Sequence, residues 1–495
     1  MREIYPLWII ILMMAPINLF SQDGDLDSSF GSGGFVETDV SGLDFGFGLA
    51  QQSNGAILAA GTSEIEPGRN APTLIRYLAD GSLDASFGIN GIVVTDFNTT
   101  GIPRYTSILV QEDQKIIAGG QIGLNTDPNI IIVRYFPNGD LDPSFGIDGI
   151  TVLDLSNDDR FSEMIILDNG KILVAGITRV DGSNKLTFIR LVPDGNLDPS
   201  FGDNGILATD NFALINAVLT LRVLEDNKIL VAGSIAGSPK LLKFEADGNP
   251  DLSFGSDGVI ITSSISSYRS AFSNSADGKI IVGLNRDIGN DESEGYLKRF
   301  LPDGSLDTTF GENGEVILNY ENFRPLRIII QPNQQILVFG SAYYGIDSVD
   351  GVVVRFRTNG TLDTAFGSGG TVNVSEVSPS DFLLQEDGKI VWIGTTPFAS
   401  AFFLVRYLND PFTFGVEDQT LKSLKVYPNP VQNKVTVAYE LIQNAEVPYQ
   451  ISDVSGKILA DGKLSGNRTV IDFSSFQSGL YFLNTASSSL RLLKE

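Results

Sequence analysis

The groups available for chemistry are restricted from the outset, because this chain of 495 residues contains no histidine and no cysteine. That removes imidazole acid–base steps, histidine metal sites and Ser-His-Asp triads. It also removes thiol nucleophiles, disulfides and a lipidated cysteine. Hydrolytic chemistry would have to rest on Asp/Glu pairs, Tyr, Ser or Lys. A carboxylate pair would point to a polysaccharide hydrolase or lyase. However, the acidic residues with a clear pattern (Asp39, Asp96, Asp154 and Asp210) recur at one place in a repeat. Recurrence favours structure, since an active site breaks symmetry. More distinctive are aromatic and cationic neighbours in variable stretches: Arg104-Tyr105, Asp158-Asp159-Arg160, Tyr268-Arg269, Phe323-Arg324 and Tyr343-Tyr344. Rings and guanidinium groups anchor contacts at modest entropic cost, so these residues are the candidate ligand-binding set. Tyr105 and Phe161 would equally suit the buried start of a strand. Asp287 to Glu294 offers oxygens to Ca²⁺ but lacks EF-hand spacing, so a solvated acidic loop fits it better and no cofactor is expected. Gly31-Ser32-Gly33-Gly34 lacks the Lys-Ser/Thr of a phosphate loop and reads as a turn.

The elements that must position these residues are announced by a phrase, Leu-Asp-x-Ser-Phe-Gly, occurring seven times. Its Phe positions are 30, 87, 145, 201, 254, 310 and 366, with steps of 57, 58, 56, 53, 56 and 56. The fifth copy is worn to Pro250-Asp251-Leu252-Ser253-Phe254-Gly255. A period this steady means an array of one supersecondary unit. Within the second unit Gly91–Asp96 reads as strand A, Ser107–Gln111 as strand B, Lys115–Gly120 as strand C and Ile130–Tyr135 as strand D. A B–C turn such as Asn169-Gly170 or Asp277-Gly278 recurs seven times, and so does strand D. Four short strands per period predict an all-β fold, a seven-bladed β-propeller of four-stranded blades. The open β-solenoid competes less well, because its rungs are usually shorter. The turn Asp-Gly-Lys with its following apolar strand, the Val-Arg-Tyr strand and the Leu-Asp-x-Ser-Phe-Gly phrase resemble the delta-60 repeat family, which is associated with β-propellers. That resemblance covers residues 24 to about 408 and implies a fold, with no activity attached.

In each complete linker the basic residue of strand D precedes the phrase Asp by eight: Arg76/Asp84, Arg134/Asp142, Arg190/Asp198, Lys243/Asp251, Arg299/Asp307 and Arg355/Asp363. A residue type needed once per blade is architectural. The expectation is a charge-assisted, bidentate clamp holding the D-to-A crossover, with the Phe buried between blades. Asp27 has no strand D before it and Arg406 no phrase after it, so the N-terminal phrase should dock on blade seven and close the ring. Whether Phe35–Thr38 also crosses over is open at this point. In such a meander the B–C turns and D–A crossovers share an invariant face, while the A–B and C–D loops share a variable one. Binding is therefore expected on the variable face.

The ends carry addresses. Met1-Arg2 and the apolar run Leu7–Met14 read as a secretory signal peptide, residues 1–21, cleaved after Ser21. No later stretch is apolar enough to span a membrane. The net charge of −26 argues against nucleic acid or anionic membrane as partners. The propeller is assigned to 22–410, a linker to 411–422 and a small C-terminal β-sandwich to 423–495. That tail has Tyr427-Pro428-Asn429-Pro430, the hairpin Asp453-x-x-Gly456-Lys457, and Gly479-Leu480-Tyr481 before a basic end. It resembles the type A C-terminal sorting domain of the Bacteroidetes type IX secretion system. The resemblance implies contact with that machinery, passage across the outer membrane, and release or anchoring at the surface of a Gram-negative cell. The leading functional expectation is a non-enzymatic binding or scaffold module for a glycan or surface protein. The alternative is a carboxylate-based hydrolase or lyase on the variable face.

Overall fold

A computed structural model describes residues 22–494 except 100, 125, 157, 181, 210–219, 225, 236–237, 263–270, 290–291, 345–347, 397–400, 411–420, 442–446, 454–456, 465–467 and 486–487. The expected signal segment, most of the linker, Tyr268, Arg269 and Gly456 lie outside the described residues. Seven four-stranded antiparallel sheets succeed one another as propeller blades. Their inner strands are Asp44–Gln51, Arg104–Val110, Asp159–Ile166, Thr220–Val223, Ala271–Asn274, Phe323–Ile330 and Ser378–Leu384. Each is followed by two mostly buried strands, and a shorter outer strand completes the blade.

The blade is not the sequence unit in the order A-B-C-D. Strand A of each unit is the outer strand of the preceding blade: Ile92–Val94 pairs with Arg69–Tyr77, and Ile150–Leu153 with Asp127–Tyr135. The phrase forces this. Leu83 bridges back to Tyr77, and the Asp84 amide donates to the Arg76 carbonyl at 2.9 Å, so the chain folds straight back on strand D. The A–B segment is then the inter-blade connection. At the end of the phrase Gly88 takes φ 51°, and a Cβ there would stand 2.3 Å from the Ile92 carbonyl oxygen, which makes glycine obligatory.

Every letter of the phrase has a contact. In the second copy after the N-terminal one, Asp142 Oδ1 accepts from the Ser144 amide and hydroxyl at 3.1 and 2.6 Å, while Oδ2 accepts from Arg134 Nε at 2.8 Å. The expected bidentate pairing is replaced by a split fork. Arg134 Nη2 reaches Ser144 Oγ at 3.0 Å, and Nη1 reaches the Pro193 carbonyl of the next blade at 2.5 Å. Its guanidinium also lies 4.8 Å from the Phe145 ring centroid, and Phe145 is fully buried. Three acceptors lie in three directions, so the planar fork suits the site better than a two-point grip on one carboxylate. The arrangement recurs at Arg76–Asp84 (2.8 Å), Arg190–Asp198 (2.6 Å) and Arg299–Asp307 (2.8 Å). Arg355 keeps the bond to Asp363 at 2.7 Å, but Ala365 replaces the serine and Nη1 goes to Asp23 and Asn409. Where lysine replaces arginine the fork fails: Lys243 Nζ is 3.7 Å from Asp251, and Lys228 from the B–C turn takes that carboxylate at 2.9 Å.

The ring closes through the N-terminus. Phe35–Thr38 is the outer strand of blade seven, paired with Phe402–Tyr407, so a whole strand crosses over. Asp27 joins Arg406 Nε at 2.8 Å, and Phe30 packs between Tyr77 of blade one and Leu404 of blade seven. Asp23 extends the seam to Arg355 at 2.7 Å.

The tail is two sheets, of three and four strands, beginning at Leu421 and sharing a core of Val435, Val437, Ile451, Leu464, Ile471, Leu483 and Leu492. The Tyr427–Pro430 entry contains two cis prolines. Asn429 anchors it to the last strand: its Oδ1 accepts from the Leu493 amide and its Nδ2 donates to the Arg491 carbonyl, both at 2.8 Å. The Tyr481 hydroxyl donates to the Gln477 carbonyl at 2.8 Å, and the Lys457 amide donates to Asp453 at 3.1 Å.

Candidate functional site

The inner strands enclose a central cavity of about 350 Å³ lined from six blades. A shared irregularity builds it. Each of the five inner strands described along its full length carries a β-bulge, whose extra residues are Phe47, Thr106, Ser162, Leu326 and Ser380. All five line the cavity, together with Thr220, Ser341, Tyr343 and Ser378. A bulge re-aims a side chain out of the ladder, and here it turns one residue per strand toward the axis. The wall is rich in hydroxyls and lies where the inner strands begin, toward the variable face.

The residue following the bulge occupies one repeat position, yet it reads Gly48, Ser107, Glu163, Thr220, Ala271, Arg327 and Asp381 around the ring. Only blades three, six and seven place charge there, and these charges meet. Arg327 donates through Nη1 to Glu163 Oε1 and through Nε to Asp381 Oδ1, each at 2.8 Å. Arg222 of blade four adds a 3.3 Å contact to Glu163. The carboxylates are further held by backbone: the Leu221 amide donates to Glu163 at 2.7 Å, and the Leu49 amide donates to Asp381 at 2.9 Å. Burial pushes the Glu163 carboxyl up, but Arg327 and Arg222 outweigh it and hold it below its ordinary range. Asp381 and then Glu163 hold Arg327 firmly protonated against its own burial. Two carboxylates and two guanidinium groups thus form a neutral brace joining blades one, three, four, six and seven.

The candidate residues read from sequence divide along the same lines. Arg104, Arg160 and Arg324 occupy one repeat position, facing Gln121, Ile177 and Ser341 across their hairpins. Each is handled differently. Arg160 is paired with Asp158 through two 2.8 Å bonds, and Arg324 lies 4.4 Å from the Tyr343 ring centroid. Arg104 donates to the Gln121 side chain at 2.9 Å and to the Ile102 carbonyl at 3.4 Å. Tyr343 reaches the central cavity, and Tyr344 is partly exposed beside it in sequence. Tyr105 is fully buried, with its hydroxyl 2.6 Å from that of Tyr135, which makes it a core residue. Asp159 is buried as well and accepts from the amides of Leu155 and Ser156 at 2.6 and 2.9 Å, closing the A–B loop. The carboxylate of Glu294, in the acidic loop, is taken by Arg286 at 2.8 and 2.5 Å. Sequence reading missed Glu163, Arg327, Asp381 and the bulge residues.

On the opposite face two cavities, about 330 and 360 Å³, are copies of one inter-blade groove. One lies between Arg190 and the Asn227 turn, the other between Arg299 and the Gln334 turn. Their recurrence marks them as part of the clamp architecture.

Comparison with known families agrees with this division of the chain. A domain of unknown function (DUF5122) β-propeller model matches residues 52–87, 111–145, 167–201, 224–254, 275–310 and 331–366. A secretion system C-terminal sorting domain model matches 425–495. The chain is a DUF5122-repeat propeller with a type IX sorting tail. The six matched segments each run from a B–C region to the next phrase Phe, spanning the clamp and leaving the A–B segments outside. The tail directs this propeller out of the cell, to the surface or the extracellular space. Searched against curated proteins, the chain has no match. Among solved structures it is similar to a PL25 ulvan lyase, at 13% identity, covering 74% of this chain and 95% of the other with a TM-score of 0.44. The polysaccharide lyase Uly1 follows at 8% identity, 74% and 90% coverage and 0.44. The β-propeller domain of the Trilobed protease from Pyrococcus furiosus stands at 11% identity, 74% and 99% coverage and 0.38.

Proposed function

We propose that this exported propeller is a non-enzymatic binding module whose ligand seats on the variable face, at the mouth of the central channel, with a glycan or another surface protein as the partner. The observation that carries this reading is the break in symmetry. Six of the seven blades repeat the Arg–Asp clamp on one face, while one inner-strand position on the other bears seven different residues. Selection for the fold alone supplies no reason for that contrast; variable groups on a rigid scaffold are the usual form of a binding site. The hydroxyl-rich wall of Thr106, Ser162, Ser341, Ser378 and Ser380 suits a polar, multiply hydroxylated ligand such as a saccharide.

The brace supports binding over catalysis. A carboxylate-based hydrolase or lyase needs a group that exchanges a proton near neutral pH. Glu163 is instead held as a counter-ion to Arg327 and Arg222, and Asp381 is shared between Arg327 and the Leu49 amide. Glycan-array binding by residues 22–495, with and without Ca²⁺, tests the reading. Saturable binding that falls on substitution of Ser162 or Tyr343 is expected. Turnover of a polysaccharide panel without stable binding would overturn it.

A further inference from the structure

Beside the central channel, on the same face between blades two and three, is a second cavity of about 230 Å³ lined by Ile102, Arg104, Gln121, Gly123, Pro128 and Arg160. Its electrostatics are unusual for this protein. Among the described residues, every other buried or half-buried arginine has a carboxylate within 4.0 Å, from Arg69 through to Arg406. Arg104 is half-buried and, among the described residues, has none. Its two hydrogen bonds go to neutral oxygens, one of the Gln121 side chain and one of the Ile102 backbone. In a chain with 60 acidic residues and 34 basic ones, a counter-ion would be the easiest partner to supply.

We infer that this cavity is an anion subsite, in which Arg104 receives a carboxylate or sulfate group of a bound ligand. The inference rests on the variable rim being the binding face and adds the chemistry recognised there. Removing a guanidinium from water without a counter-charge is unfavourable, and burial lowers the proton affinity of Arg104 with nothing opposing it. An anion entering the cavity relieves that cost and meets a planar guanidinium that lines it. Arg160 lines the same space, but Asp158 already neutralises it through two bonds, which leaves one uncompensated positive charge and room for one negative group. The polar lining from Gln121 completes a small, mostly preformed pocket. The ligand class that combines this subsite with the hydroxyl-rich channel mouth is an acidic saccharide, bearing either a uronate or a sulfate ester.

The test uses thermal melting of residues 22–495 with sodium sulfate, sodium glucuronate, neutral glucose, and sodium chloride at matched ionic strength. In the wild type, sulfate or glucuronate at roughly tenfold its dissociation constant raises Tm by about 2 °C beyond the chloride control. Arg104→Gln abolishes that difference, and Arg104→Lys, which keeps the charge and loses the fork, retains part of it. A response to glucuronate alone assigns a uronate, and to sulfate alone a sulfate ester. Equal shifts in wild type and Arg104→Gln, or none in either, overturn the anion subsite whatever the glycan array shows. An Arg104-dependent shift beside an array on which no glycan binds keeps the subsite and discards the saccharide reading of the rim.

Discussion

The two faces of this propeller solve opposite problems with the same residue types. On the invariant face an arginine, an aspartate, a serine and a phenylalanine meet in nearly the same way blade after blade. On the variable face arginines and carboxylates change position from blade to blade, and their partners differ each time. Arg134 and Arg327 illustrate the difference. Each bonds to a carboxylate at 2.8 Å, yet the Arg134 contact is local, eight residues apart, whereas Arg327 ties Glu163, 164 residues away, to Asp381 across the ring. A salt bridge therefore has no fixed meaning here. Repeated, it is a joint between neighbours; unrepeated, it belongs to the one assembled ring.

The contrast breaks most severely if the clamp is cut. Asp142→Ala strands Arg134 in a buried site and should cost about 3–5 kcal/mol. Asp251→Ala should cost less, since the flexible lysines 228 and 243 can turn to water. Urea denaturation of both variants checks the order, and a loss at Asp142 no larger than for an ordinary surface aspartate would sink the clamp. Acid gives the same information without mutation. Although burial raises the Asp142 carboxyl, Ser144, Lys115 and Arg134 bring it down to about 2 from an ordinary 3.8. A depressed folded value means that the stabilisation is complete above the unfolded value and is lost as pH falls from 3.8 toward 2. Stability should drop steeply in that window, and less steeply in Asp142→Ala.

Cutting the brace should have a smaller effect. Arg327 is partly open to the channel, so Arg327→Met should destabilise by roughly 1–3 kcal/mol, below the cost at the clamp. Glu163 loses its main counter-charge, so the deficit should shrink as pH is lowered and the carboxyl takes up a proton, the same sign as at the clamp. Combining Arg327→Met with Glu163→Gln should recover part of the loss in a double-mutant cycle. Strict additivity would show that the two residues do not interact.

What could be read from the sequence follows the same division. The clamp was legible because repetition turned eight-residue spacing into a pattern, and local hydrogen bonds realised it. Even there the geometry differed: the third acceptor of Arg76, Arg134, Arg190 and Arg299 is a carbonyl of the next blade, 56 to 61 residues on, which no local spacing reveals. The assignment of strand A to the preceding blade was hidden for a related reason, since a period has no inherent starting point. The brace was illegible because Glu163, Arg222, Arg327 and Asp381 meet only after the ring closes, and one residue from each blade leaves no local signature. A signal did exist. Aligning the seven copies at their B–C turns places Gly48, Ser107, Glu163, Thr220, Ala271, Arg327 and Asp381 in one column, where the change from small to charged residues stands out. The aromatic–arginine rule picks out Arg324 and Tyr343, which meet beside the channel, but also Tyr105, which lies in the core because adjacent strand residues face opposite sides of the sheet.

The smallest effect gives the finest test of the comparison. Arg324 lies over the Tyr343 ring at 4.4 Å, much as each clamp arginine lies 4.3 to 4.8 Å from its phrase phenylalanine. The geometries are alike, but the surroundings differ: the clamp arginines have desolvated carboxylate partners, whereas Arg324 is exposed and Tyr343 opens on the cavity. An exposed cation–π contact is worth only about 0.5–1 kcal/mol. Arg324→Ala should therefore change the urea midpoint little, while weakening ligand retention at the channel mouth several-fold. A stability loss approaching that of Asp142→Ala would mean that the variable face is structural after all. Unchanged stability with unchanged ligand retention would remove Arg324 from the site and leave the mouth to Tyr343 and the hydroxyl wall.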